Sequence, residues 1–148
     1  MTHSPTAQQQ GAGSTTDLAL EYLEAAWNRV DLAALDALAR GDLEVSYPLI
    51  PQVVRGREAF KQVLTSMQAG LPDLYFAFRH VVTEGTCAVF SWNASGTHTG
   101  PLLGLPPTGR VVQWSGLSVV EIADGRVTRD WGEENALSLF RQLGLVRG

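Results

Sequence analysis

The sequence predicts an α+β domain, with helices in its first half and an antiparallel sheet in its second. Three observations predict it. Apolar residues recur at three- and four-residue spacing as far as Met67. From Leu74 onward they alternate, as in half-buried strands. Asp124-Gly125 then marks a tight hairpin, because both central positions of a type I′ turn need positive φ. Helices laid over one face of a long curling sheet leave a concave side, and such a blind pocket is the usual place for a small ligand.

Each element has its own signal. Residues 1–15 are Ser, Thr, Gln, Gly and Pro without apolar period, so they are expected to be disordered, leaving 16–148 as one domain. Leu18, Tyr22, Ala25, Ala26 and Val30 form the apolar stripe of a first helix, capped by Thr16 or Asp17. Asp31 caps a second helix with Leu32, Leu35 and Leu38 inside, and Gly41 ends it. Leu43 to Tyr47 reads as a short strand closed by Pro48 and Pro51. A third helix covers Arg57 to Ala69, with Phe60, Val63, Leu64 and Met67 on one face and Gly70 as its stop. Strands follow over Leu74–Thr83, Cys87–Thr99, Arg110–Ile122 and Arg126–Gly132, with a Gly- and Pro-rich loop at Gly100–Gly109. Glu133 to Leu143 completes the chain as a short helix, and Glu133 and Glu134 suit its first turn.

Composition narrows the function. The chain has 148 residues, the size of one domain, and a net charge of −4 with no block of Lys or Arg. That pattern disfavours nucleic acid and anionic membrane as partners. One cysteine, Cys87, excludes an internal disulfide and reads as a small core residue. No signal peptide or membrane-length apolar run is visible, so a soluble cytoplasmic protein is expected. Charged residues make up 18% of the chain, below the usual quarter or so, which points to a buried pocket, a homodimer interface, or both.

Several residues are candidates for a pocket. Trp27, Trp92, Trp114 and Trp131 lie on a helix and three strands, and their flat faces suit a planar polycyclic ligand. About half of them are expected to reach a cavity. Tyr47, at a strand end, is a candidate rim hydroxyl, and Ser118 and Asn135 are candidate substrate contacts. Strict pairing across the Asp124-Gly125 hairpin puts Trp114, Ser118, Arg129 and Trp131 on one sheet face, and Gln113, Ser115 and Asp130 on the other. His80, among Phe76, Phe78 and Val82, reads as a core or interface histidine.

The order and spacing of several short motifs resemble the SnoaL-like polyketide cyclases and their ester-cyclase relatives. These motifs are Gly96-Thr97-His98-Thr99-Gly100, Gly104-Leu105-Pro106-Pro107-Thr108-Gly109-Arg110, Asp124-Gly125, Trp131 and Arg141-Gln142-Leu143-Gly144. In the first half, Trp27-Asn28, Gly56-Arg57-Glu58-Ala59-Phe60 and Leu71-Pro72-Asp73-Leu74 also match. The resemblance covers about residues 17–144. It implies the cone-shaped fold shared with nuclear transport factor 2, often a homodimer, and a hydrophobic small-molecule substrate. It also implies an intramolecular aldol ring closure, or a related lyase or isomerase reaction, that uses neither metal nor cofactor.

Such a closure needs a base for a proton alpha to a carbonyl and a donor for the developing oxyanion. A carboxylate in an apolar cavity serves as the base because desolvation raises its pKa. The resemblance places the family's Asp and His at Gly132 and Ser118 when counted without gaps from Asp124-Gly125. Asp130 and Glu133 are the carboxylates that a bulge or one-residue shift would bring into the same volume. His98 is the candidate proton carrier, with the fastening of its loop as the alternative role. A non-catalytic binding module that has kept the pocket and lost the catalytic pair is the alternative function. No His, Asp or Glu cluster has metal-ligand spacing, and no glycine-rich turn opens a helix after a strand.

Overall fold

A computed structural model describes residues 15–146. The segment expected to be disordered lies outside the described residues except for Thr15. Thr15 is already helical and buried, so neither Thr16 nor Asp17 begins the helix as its cap.

Four helices and six strands follow in the described residues. Helix α1 is regular over 15–23 and widens into a π-helical turn at Glu24–Asn28, where the Arg29 N–H donates to Glu24 O. Val30, read as helical, instead takes a φ of 48° beyond the helix end. Helix α2 (Leu32–Leu38) is capped by the Asp31 side chain, which accepts from Ala34 N. It stops before Gly41, which already belongs to β1 (Ala39–Ser46). A two-residue strand β2 (Val54–Arg55) folds back on β1 and has no sequence signal of its own. Helix α3 (Arg57–Gly70) buries Phe60 and Leu64. Then come β3 (Tyr75–Glu84), β4 (Cys87–Thr97), β5 (Val111–Ala123), β6 (Arg126–Glu134) and helix α4 (Ala136–Gln142).

The sheet order is β2-β1-β6-β5-β4-β3. All neighbours run antiparallel except β1 and β6, which are parallel. The result is the α+β architecture predicted, a curled and unclosed sheet with helices on its concave side. Helix α1 lies in that concavity. It reaches β6 through Tyr22 and β3 through Asn28, whose amide donates to Phe76 O and accepts from Phe76 N. That amide satisfies both backbone groups of Phe76 on an edge strand, where they would otherwise lie open.

Two register features decide which side chains face inward. Between β5 and β6 the pairing passes from Ile122↔Val127 to Glu121↔Arg129, so Thr128 is an extra residue in β6. Every later β6 residue thereby changes face relative to strict pairing. Asp130 joins Ser118 and Trp114 inside, while Arg129 and Trp131 turn outward with Glu121. The second feature is the bulge between Phe78 and Val81 in β3. It leaves His80 exposed, bonded to Ser91, rather than in the core.

Strand β6 also continues two residues further than expected. Glu133 and Glu134 extend the pairing with Leu117 and Gly116, and Asn135, not Glu133, caps α4 by accepting from Ser138 N. They are strand residues, so one points out and the other in. No helix among the described residues is long and apolar enough to cross a membrane.

Candidate functional site

The concave face holds a narrow cleft. Its floor and walls are Trp27, Phe76, Phe78, Trp92 and Trp114. These rings pack mostly edge to face, with Phe76 at the centre: its centroid lies 4.9 Å from Trp92, 5.5 Å from Trp27 and 6.1 Å from Trp114. Leu49, Ile50 and Met67 stand at the mouth and also border an outer apolar cleft of about 800 Å³ against Pro101, Leu102 and Leu103. Among the described residues, three polar side chains beside the tryptophans line the inner cleft: Tyr47, Ser118 and Glu134.

Behind them lies Asp130, fully buried. Its carboxylate accepts from Tyr22 Oη at 2.8 Å, from Trp27 Nε1 at 3.1 Å and from Tyr47 Oη. Tyr47 Oη also lies 2.7 Å from Ser118 Oγ, which accepts from Trp92 Nε1 at 2.9 Å. A phenol has one proton. With the Tyr47 proton on Asp130, the Ser118 hydroxyl donates to Tyr47, and the chain runs Trp92 to Ser118 to Tyr47 to Asp130. Burial pushes the Asp130 carboxyl up from the ordinary carboxylate range, against the pull of its three donors. Burial beside that carboxyl also pushes both phenols well above their ordinary value, so Tyr22 and Tyr47 stay protonated donors.

The π turn explains how one helix supplies two of these donors. Tyr22 and Trp27 are five residues apart, which a regular α-helix would set about 140° apart around its axis. The wider π turn reduces the angle between five-residue neighbours. Both side chains therefore reach the same carboxylate.

Glu134 forms the second polar corner. Its Oε1 accepts from Trp114 Nε1 at 3.0 Å and its Oε2 from Leu49 N at 2.9 Å. Burial raises its pKa, opposed by those two donors and reinforced by Glu133 beside it. Each inner tryptophan thus donates to one polar group: Trp27 to Asp130, Trp92 to Ser118 and Trp114 to Glu134. The indoles wall the cleft and hold its hydrogen bonds at once.

The structure brings together Trp27, Tyr47, Trp92, Trp114, Ser118 and Asp130 from the residues singled out in sequence. It does not bring in the others. Trp131 is on the outer face, with its indole on Glu121 and the Arg129 guanidinium 4.8 Å from its ring centre. Glu133 is exposed on that same face. Asn135 caps α4 and borders an outer groove. His98 is buried in the Gly- and Pro-rich loop, where Nδ1 accepts from Thr108 N, and it fastens that loop away from the cleft. Sequence reasoning missed Tyr22 and gave Glu134 to a helix. A five-residue spacing of Tyr22 and Trp27 carries no recognised signal, but the alternation Asp130, Gly132, Glu134 is visible once β6 is extended.

Comparison with known proteins agrees with this architecture. A sequence model described as SnoaL-like polyketide cyclase matches residues 17–143. The aklanonic acid methyl ester cyclase of Streptomyces peucetius is 30% identical over 99 residues, 62% of this chain and 63% of that protein's length. Among solved structures, TsrD of Streptomyces laurentii superposes with a TM-score of 0.78 at 31% identity, over 90% of this chain and 97% of that one. IdmH of Streptomyces antibioticus gives 0.74 at 28%, over 88% and 98%. On the family match across nearly all of the described residues, the chain belongs to the SnoaL-like polyketide cyclase family.

Proposed function

We propose that the protein is a polyketide cyclase-like acid–base enzyme, closing a ring in a hydrophobic polycyclic substrate by intramolecular aldol condensation without a cofactor. One observation carries this reading. Tyr47 and Ser118, in a mostly apolar cleft, form a connected hydrogen-bond chain with Trp92 that ends on a buried carboxyl of raised pKa. A passive apolar pocket has no use for such a chain, since buried polar groups cost stability unless fully bonded.

The chain can run in two directions. With Asp130 ionised, the Tyr47 proton points at Asp130. With Asp130 neutral, its carboxyl O–H donates to Tyr47 Oη, and the Tyr47 proton is free for an oxygen in the cleft. A substrate carbonyl, and still more an oxyanion, would accept from Tyr47 or Ser118 at that point. The indoles and Phe76 would hold the rings. Entry would pass Leu49, Ile50 and Met67, which separate the cleft from the outer apolar one.

The test is tryptophan fluorescence titration with a planar anthraquinone at several pH values. Affinity of the parent should fall as pH rises through the raised pKa of Asp130, because ionisation draws the Tyr47 proton away from the ligand carbonyl and back to Asp130. Asp130→Asn should bind with no such dependence. Identical, pH-independent binding by both proteins would favour the passive binding module instead.

The reading includes a cytoplasmic homodimer. Its support is the low charged fraction together with Tyr75, Val82, Val111 and Leu117, exposed apolar residues on the outer sheet face. Light scattering at high micromolar concentration should give twice the chain mass, and a monomer would remove the dimer from the account.

A further inference from the structure

We infer that Glu134 is the base that takes the proton alpha to the substrate carbonyl, working opposite the Tyr47–Ser118 hydroxyl pair. This rests on the acid–base reading above and assigns its missing proton acceptor.

Gly132 is where this chain differs from the family pattern. The resemblance puts the family's carboxylate at that position, and this chain has none there. A side chain could not be restored without movement. An ideal Cβ on Gly132 would overlap the Leu117 carbonyl oxygen and fall 3.0 Å from Tyr47 Cε1. The Tyr47 ring occupies the space such a side chain would need. The two carboxylates on this strand face stand one on each side of it, at Asp130 and Glu134. Asp130 is closed off: it is fully buried, three donors hold it, and Tyr47 and Ser118 stand between it and the cleft. Glu134 lines the cleft itself.

Its surroundings also suit a base. Each oxygen accepts one fixed donor, Trp114 Nε1 or Leu49 N, which leaves a lone pair on each for an incoming proton. Leu49 belongs to the turn closed by Ile50 N donating to Tyr47 O. One short segment therefore positions both the Tyr47 hydroxyl and the Glu134 carboxylate. The titratable groups whose charge acts on Glu134 or on which it acts are Tyr47 and, from the outer face of its own strand, Glu133. The aromatic and aliphatic residues of α1, α3, β3, β4 and β5 that line the cleft bring no charge to it. Burial and Glu133 raise the Glu134 pKa, toward the working range of a general base.

The step balances without a further reagent. The α C–H bond breaks and its proton forms an O–H bond on Glu134. The electron pair moves onto the carbonyl oxygen, which accepts from Tyr47 or Ser118. The enolate carbon then bonds to a second carbonyl carbon of the same substrate, and the resulting alkoxide takes back the proton.

Exchange of the α-protons of β-tetralone in deuterated water, followed by proton NMR, tests the first half of this step alone. The parent protein should accelerate exchange over buffer, with a rate that rises with pH through the Glu134 pKa. Glu134→Gln should lower the rate by about 100-fold or more while the ketone still quenches tryptophan fluorescence. Trp114→Phe removes a donor that favours the charged carboxylate, so it should shift the rate profile to higher pH. If Glu134→Gln exchanges as fast as the parent, or the Trp114→Phe profile does not move, Glu134 is not the base, and the acid–base reading stands with another acceptor. If the parent binds the ketone and gives no acceleration, both readings fall together.

Discussion

Asp130→Ala is expected to lower the stability of the fold by about 3–5 kcal/mol, the range for breaking a buried polar cluster by removing one partner. The residue is fully buried and takes hydrogen bonds from Tyr22, Trp27 and Tyr47. Tyr47 can turn its proton to Ser118 after the substitution, but Tyr22 and Trp27 are left with none of the acceptors they now have. For a chain of this size the loss corresponds to roughly 10 °C or more in Tm, measurable by calorimetry or by urea unfolding followed through tryptophan fluorescence. A loss below about 1 kcal/mol would mean that water replaces the carboxylate and that the network is looser than described.

Asp130→Asn separates shape from charge. The folded pKa of Asp130 is raised, so its neutral form favours folding. That contribution is complete below the unfolded value of about 3.9 and is lost as pH rises through the folded value. Asn has no charge to lose. The Tm of Asp130→Asn should therefore improve relative to the parent as pH rises, and a constant difference across that range would contradict the raised pKa.

Phe76→Ala should produce a loss of similar size through a different cause. The ring touches Trp27, Phe78, Trp92 and Trp114 at once, and truncation of a buried Phe costs about 3–5 kcal/mol. The hole would adjoin the existing cleft and share its aromatic walls. Indole should then fill it, and at 100 times its Kd would restore about 2.7 kcal/mol. Thermal melts with and without indole should show a larger ligand-induced rise for Phe76→Ala than for the parent. Equal rises would mean that the space left by Phe76 is not continuous with the cleft.

The sequence made the architecture legible because its punctuation is local. Asp31, Asp124-Gly125 and the helical stripe of α3 each act through neighbours in the chain, and each appears where it was read. The motifs that carried the family resemblance turn out to be fasteners. Gln142 bonds both backbone groups of Gln113, which extends past the end of β6, and His98 ties the Gly- and Pro-rich loop through Thr108. Asn28 does the same for Phe76.

The site was harder to read because it depends on distant registers. One extra residue, Thr128, decides whether Asp130 faces the core or solvent, and nothing in its type announces a bulge. The π turn that aligns Tyr22 with Trp27 has no composition signal either. Glu134 was misassigned because Glu-Glu before an apolar run suits a helix start, while the ladder to Gly116 keeps it in the sheet. The tryptophans were legible as pocket residues, but not their hydrogen bonds, which need partners on β5 and β6.

Two carboxyls, one buried behind the cleft and one partly buried in it, form the acid–base apparatus proposed for this protein. Carbon-13 NMR titration of the side-chain carboxyls tests that claim most directly, with Asp130→Asn and Glu134→Gln as assignments and an anthraquinone as ligand. Both carboxyls should titrate above the ordinary values of about 3.9 and 4.3, and the ligand should shift the Glu134 resonance. Ordinary titration of both, with neither resonance responding to ligand, would contradict it.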